Sequence, residues 1–137
     1  MVNGQNLVAT GAMTMRPHQK LEACSKAIEL VTDLYKCTEK FPATERYGLT
    51  SQLRRAAVSI AANIAEGAGR RSKKEFAYFL SNSQGSASEV ETELVIANKL
   101  GYLDERTFLL AQLDRISRLI TGLGRYLTRD FTSATAK

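Results

Sequence analysis

Four long stretches of this chain place apolar side chains three and four positions apart, the spacing that gathers them on one face of a helix. The first runs from about His18 to Lys40. Its stripe is Leu21, Cys24, Ile28, Val31, Leu34/Tyr35 and Thr38, with Lys20, Glu22, Lys26, Glu29, Asp33 and Lys36 on the other side. Phe41-Pro42 ends it, because a residue before proline avoids the helical region. Residues 43–48 read as a short ordered connection, and Gly48 weakens any continuous helix there. Thr50 is a fair N-cap for the second helix, which runs to Glu66 with Leu53, Ala56/Ala57, Ile60 and Ile64 inward and Gly67 placed as its C′ residue. Ser72-Lys73-Lys74-Glu75 has the hydroxyl-then-glutamate spacing of a capping box. The third helix follows to about Leu100, with Phe76, Phe79/Leu80, Ser83, Ala87, Val90, Leu94 and Ala97 inward. After the tight turn Gly101-Tyr102-Leu103, Asp104 caps a fourth helix over about Glu105–Thr128. Its stripe is Leu109, Leu113, Ile116, Ile120, Leu123 and Leu127, widened by Phe108, Leu110, Leu119 and Tyr126.

Four such helices joined by short loops imply an all-α, antiparallel up-down-up-down four-helix bundle. It occupies residues 16–128 of a 137-residue chain, with a loose lead-in over 1–15 and a frayed tail over 129–137. Met13 or Met15 is as good a start as Met1. The absence of tryptophan and the presence of only two prolines agree with helix rather than a many-turned β fold.

The middle of the third helix, Asn82-Ser83-Gln84-Gly85-Ser86-Ala87-Ser88, is small and polar, and Gly85 in a helix interior costs about 1 kcal/mol against alanine. Close packing offers an offset. If facing positions of helices two and three sum to about 139, Ala56 and Ala57 oppose Asn82 and Ser83, Leu53 and Arg54 oppose Gly85 and Ser86, and Arg54 comes within reach of Glu89.

Charge is uneven. The net value is only +5, yet residues 45–75 hold seven cations against three glutamates. Glu66 sits where the helix dipole disfavours an acid. Arg70 and the free N–H groups at the start of the third helix can compensate it, with Asn63 extending a polar clamp. Arg71, Lys73 and Lys74 are left at a helix N-terminus, the unfavourable end for cations, where an anion would offset the cost. This corner, Arg46 included, is the candidate contact for RNA or DNA. The loop does not fit the G-x-x-x-x-G-K-[ST] pattern of a phosphate-cradling P-loop.

Other chemistry finds little footing. Glu66 has neither a second carboxylate at a useful spacing nor a neighbouring histidine, and no nucleophile–base pair, cofactor loop or Cys/His cluster is visible. We therefore expect no enzyme, no cofactor and no metal. Cys24 and Cys37 on one helix are roughly 20 Å apart, too far for a disulfide, and free thiols suit a cytoplasmic location. No apolar span or signal peptide points to a membrane. His18 is expected to be exposed. The five tyrosines are spread along the chain rather than grouped as a stacking platform. Tyr78, and the extra apolar residues of the fourth helix, suit a subunit contact.

The run SQLRRAAVSIAANIAEGAGRRSKKEFAYFLSNSQGSASEVETEL, and above all NIAEG with Arg70 and GSASEVETEL, resembles the signature of the four-helix bundle proteins encoded in 23S rRNA intervening sequences. The likeness extends from Arg16 to Leu127. It implies an antiparallel four-helix bundle assembled as a homopentamer, without a settled biochemical activity. The family is also similar to the accessory protein of diversity-generating retroelements, a basic pentameric barrel that binds nucleic acid and a reverse transcriptase. By position the motif residues are Asn63, Glu66, Gly67, Arg70, Gly85, Ser86 and Glu89, read first as determinants of the fold. Two departures stand out: Ala61 replaces a frequent proline, and Glu93 a frequent glutamine. The expectation is a non-enzymatic homo-oligomer that binds RNA or DNA through the corner between helices two and three. The alternative is a scaffold that docks a protein such as a reverse transcriptase without touching nucleic acid.

Overall fold

The computed structural model describes residues 17–104 and 108–136. The proposed lead-in, the environment of His18 and residues 105–107 lie outside what is described; Phe108 is described and precedes the fourth helix, which begins at Leu109 rather than at Glu105 behind an Asp104 cap. Helix α1 spans Pro17–Thr38, a 3-10 turn spans Ala43–Glu45, α2 spans Leu49–Ala68, α3 spans Lys73–Lys99 and α4 spans Leu109–Ala136. The helical backbone thus continues through most of the expected tail.

Each helix packs on its chain neighbours, and α4 closes the ring on α1. The direction of two of these pairs is read from side-chain bonds. Ser59 meets Ser86 and Ser83 meets Ile60 between α2 and α3, while Arg115 meets Glu22 and Gln112 meets Asp33 between α4 and α1. Rising numbers on one helix face falling numbers on the next, as in an antiparallel four-helix bundle. Leu30, Leu34, Leu53, Ile60, Ile64, Phe76, Leu80, Val90, Leu94, Ile116, Ile120 and Leu127 fill the interior.

The α2, α3 and α4 stripes bury as their spacing predicts, but α1 is rotated from its expected setting. Ala23, Ala27, Leu30 and Leu34 face the core, whereas Ile28 and Tyr35 are exposed and Val31 is half-buried. Two small alanines let α1 sit close, and they carry too little apolar weight for the pattern to reveal. Lys20, assigned to the wet face, is 2% exposed; its ammonium lies 5.6 Å from the centre of the Phe76 ring and has no hydrogen-bond partner among the described residues. Burial lowers its pKa.

Local chemistry sets the helix ends. Thr50 does not cap α2, because it lies buried inside the first turn. The Glu45 carboxylate does the work instead. Its Oε1 accepts the Leu49 N–H at 3.1 Å and its Oε2 accepts the Tyr102 hydroxyl at 3.0 Å, so one side chain ties the start of α2 to the turn after α3. Ser72 caps α3 as expected, accepting the Glu75 N–H at 3.1 Å. The far end of α3 is a Schellman turn: Tyr102 N–H reaches Ala97 O and Gly101 N–H reaches Asn98 O, with Gly101 at φ +79°.

Gly67 and Gly85 exchange the roles the pattern assigns them. Gly67 is not a C′ residue. It is buried in the last turn of α2, where a Cβ would lie 2.8 Å from both Phe76 Cδ1 and Phe79 Cβ. Gly85 is exposed, and a Cβ there would meet nothing within 4 Å. The close approach of the central helices is thus made by Gly67 and by Ser83, whose hydroxyl donates to Ile60 O at 2.8 Å. The facing pairs Ile60–Ser83 and Ser59–Ser86 sit about one turn from the expected register. Arg54 is correspondingly not paired with Glu89.

The polar middle of α3 has its own explanation. Ser83 and Ser86 bond to α2, and Gln84 donates to Ser117 O at 2.9 Å and to Thr121 Oγ1 at 2.7 Å on α4. Asn63 does not extend the Glu66 cluster; it turns back to Ser59, donating to its carbonyl at 2.8 Å and its hydroxyl at 3.0 Å.

Candidate nucleic-acid interface

The expected corner is built partly as foreseen. Arg70 pairs with Glu66 one turn back, and its guanidinium lies 4.8 Å from the centre of the Phe79 ring. Glu66 is an exposed carboxylate, its side chain 53% exposed, and the expected polar clamp reduces to its pairing with Arg70. The Glu75 N–H in the first turn of α3 turns to Ser72, not to Glu66. Lys73 is drawn over Tyr126, 5.4 Å from the ring centre. Arg71 and Lys74 point to solvent.

Arg46 does not belong to this corner. It precedes α2, whereas Arg70–Lys74 follow it, and twenty helical residues separate the two ends by about 30 Å. At its own end Arg46 joins a different constellation. A groove of about 500 Å³ on the α1–α2 face is lined by Tyr35, Arg46, Tyr47, Thr50, Ser51, Arg54, Arg55 and Val58. Three arginines and two tyrosines meet there, and no carboxylate lines it.

The sequence explains how the groove is held. Arg54 Nε donates to Thr38 Oγ1 at 2.9 Å and Nη2 donates to Tyr35 O at 3.1 Å, while the guanidinium lies 4.5 Å from the Tyr35 ring centre. Thr38 in turn donates to Leu34 O at 2.8 Å. A cation on the last carbonyls of α1 is favourable, because those groups carry the negative end of the helix dipole. Arg54 therefore fastens α2 to α1 and also presents positive charge to the groove. Arg46 and Arg55 are exposed, and Tyr47 is 90% exposed with Arg46 6.0 Å from its ring centre.

Periodicity could not find this site. Tyr35 was counted toward the core, and Tyr47 lies in the connection before α2. Only the α1–α2 pairing brings them together, so the tyrosines are not as scattered as their spacing implies. The dense signal that could have flagged it is Arg46-Tyr47 followed by Arg54-Arg55, two turns on.

Elsewhere two titratable groups are displaced. Glu93 is 6% exposed and its carboxyl is pushed up to about 7 by burial, then by the neighbouring Glu89 charge and hydrogen bond. The Tyr102 phenol is raised chiefly by its hydrogen bond to Glu45. Cys24 is buried and Cys37 half-buried, and neither is in a disulfide. Among the described residues no helix is long and apolar enough to cross a membrane, and no group of three or more His, Cys, Asp or Glu side chains converges as a metal site.

The sequence profile of the 23S rRNA-intervening sequence proteins matches residues 19–122. The chain belongs to that family. The match takes in all of α2 and α3, most of α1 and the first half of α4, so it covers both the groove and the corner. A search of solved structures finds a protein of unknown function from the S23 ribosomal protein family of Bacteroides thetaiotaomicron. It is 23% identical, with a TM-score of 0.55 over 78% of this chain and 95% of the other. At that identity the likeness concerns the fold. No curated protein matches the chain.

Proposed function

We propose that this family member is a non-enzymatic, self-associating bundle that binds RNA or DNA through phosphate contacts at the α1–α2 groove. The single observation that carries the reading is the convergence of Arg46, Arg54 and Arg55 on a surface lined by no acid. Arginine forks match phosphate oxygens in pairs and remain charged at any physiological pH. Arg71 and Lys74, exposed at the far end of α2, supply a second phosphate contact, with Arg70 and Lys73 held back by their own partners. A strand following α2 would meet both.

Self-association, to the pentamer that the resemblance implies, would multiply these few cations into a useful affinity. Tyr78, 63% exposed on α3, suits a contact between copies. The non-enzymatic reading rests on the residue types: the chain has one histidine, and Glu66 is an exposed partner of Arg70.

Titration of a labelled structured RNA at two salt concentrations tests the proposal. Each cation removed should flatten the slope of log affinity against log salt by about 0.7–0.9. Arg46→Ala with Arg55→Ala should therefore cost more affinity at low salt than an uncharged control pair, and Arg71→Ala with Lys74→Ala should cost an additional increment. Undetectable binding at low salt, or a flat salt response, defeats the reading.

The scaffold reading draws on a different observation. Val95, Ile96, Leu100, Phe108 and Leu110 are all at least 40% exposed and gather at the end of the bundle where α3 passes into α4. Such an apolar end suits a protein surface. Capture of the same partner from lysate with and without nuclease separates the two readings.

A further inference from the structure

Resting on the nucleic-acid reading of the α1–α2 groove, we infer that the groove takes single-stranded rather than duplex nucleic acid, with Tyr47 as the platform on which an unpaired base stacks. The placement of Tyr47 is the starting point. A tyrosine with 90% of its surface in water contributes almost nothing to folding. It sits in the turn between the 3-10 segment and α2, where a hydrophilic residue would serve as well. Its ring lies beside Arg46, Arg54 and Arg55 in one groove, an aromatic face flanked by cations.

That pairing distinguishes a single strand from a duplex. A phosphate backbone alone needs cations and leaves an aromatic ring idle. A duplex hides its base faces within its own stack and shows the protein only edges, sugars and phosphates. A single strand offers ring faces and phosphates alternately along the chain, and proteins that hold one combine a basic track with exposed aromatics. Dimensions agree. A groove of about 500 Å³ between two helix surfaces is of the size that admits a drug-sized ligand. Arg54 is the fixed element: tied to Thr38 and the Tyr35 carbonyl and stacked on Tyr35, it loses little freedom when an anion arrives. Arg46, beside the Tyr47 ring, and Arg55, both exposed, follow the phosphates on either side of the stacked base. Ser51, half-buried among the lining residues, adds a neutral hydroxyl donor.

The test uses the full chain and four labelled probes of one mixed sequence: single-stranded RNA, single-stranded DNA, and the duplex of each. Anisotropy titrations are run on wild type, Tyr47→Ala, Tyr47→Phe and Arg46→Ala/Arg55→Ala. The single strands should bind at least tenfold more tightly than the duplexes. Tyr47→Ala should weaken single-strand binding roughly 5- to 150-fold, the equivalent of one stacked base. Tyr47→Phe, which keeps the ring, should bind within about twofold of wild type. Tyr47→Ala should leave the salt slope unchanged, whereas the double arginine variant should flatten it. Preference between the RNA and DNA strands identifies which of the two the groove takes. Equal binding of strands and duplexes with a neutral Tyr47→Ala overturns the inference and leaves phosphate binding intact. No binding of any probe at low salt removes the inference together with the reading beneath it.

Discussion

Alanine at Gly67 and alanine at Gly85 should shift stability in opposite directions. Gly85 lies in a helix interior and Gly67 in the last turn of α2, so alanine restores about 0.5–1 kcal/mol of helix propensity at Gly85 and no more than that at Gly67. At Gly85 nothing opposes that gain, since a Cβ would have no neighbour within 4 Å. Gly85→Ala should therefore stabilise by about 0.5–1 kcal/mol. At Gly67 the new methyl would lie 2.8 Å from Phe76 Cδ1 and from Phe79 Cβ and 3.3 Å from Phe76 O. Phe79 Cβ and the carbonyl are close to the α3 backbone, so relief requires moving a helix rather than the tip of a side chain. Overpacking of this kind costs about 1–3 kcal/mol, and the upper half of that range applies, leaving a net loss of about 1–2 kcal/mol after the propensity gain. The two variants should differ by roughly 2–3 kcal/mol, or about 6–15 °C in midpoint at this chain length. Urea and thermal unfolding followed by circular dichroism at several protein concentrations read the difference. A Gly85→Ala variant as unstable as Gly67→Ala would refute the geometry, and a loss that disappears on dilution would place Gly85 against another copy.

Glu93→Gln should stabilise the protein at neutral pH and above. The folded carboxyl titrates at about 7 against a usual 4.5, so the folded state holds more protons across that window and stability falls as pH rises from about 4.5 to about 7. The drop is on the order of 3 kcal/mol; the glutamine variant should lose that slope in pH-dependent urea melts, and an unchanged slope would assign it to other groups. Arg54→Ala should destabilise by about 1–3 kcal/mol through its two hydrogen bonds and the Tyr35 contact, and Arg54→Lys should not restore it. Glu66→Ala should cost no more than about 1 kcal/mol, because an exposed ion pair is worth little; a loss of several kcal/mol by denaturant titration would return Glu66 to the role of structural clamp. Glu45→Ala should cost about 0.5–2 kcal/mol as a lost helix cap and should return the Tyr102 phenol, followed by its ultraviolet absorbance, toward its ordinary titration.

The bundle was legible because its strongest signals are redundant. The stripe of α4 has six members in phase, and Leu109, Leu113, Ile116, Ile120, Leu123 and Leu127 are all buried. No single side chain decides the outcome there. The site was less legible because its deciding facts are pairwise. Arg54 lies between two plausible partners on neighbouring helices, Glu89 on one side and the end of α1 on the other. Charge alone favours the glutamate, but the last carbonyls of α1 and the Tyr35 face hold the guanidinium. The α2–α3 register depended on where α2 stops. Reading Gly67 as a terminator shortened the helix and moved every facing pair by about a turn, and the same glycine proved to be the point of contact. α1 was misjudged because Ala23 and Ala27 weigh little on a hydropathy pattern, while Ile28 and Tyr35 weigh much and lie outside. A groove assembled from a loop tyrosine, an outward α1 tyrosine, one arginine before α2 and two adjacent ones within it leaves no periodic trace.

Photo-crosslinking locates the bound nucleic acid most directly. A thiouridine-labelled single-stranded RNA, irradiated with the protein at low salt and digested with trypsin, should modify the peptide spanning residues 47–54, which carries Tyr47 and ends at Arg54. Crosslinks confined to the peptides around Arg70–Lys74 or to α4, with residues 47–54 unmodified, would contradict the assignment of the α1–α2 groove.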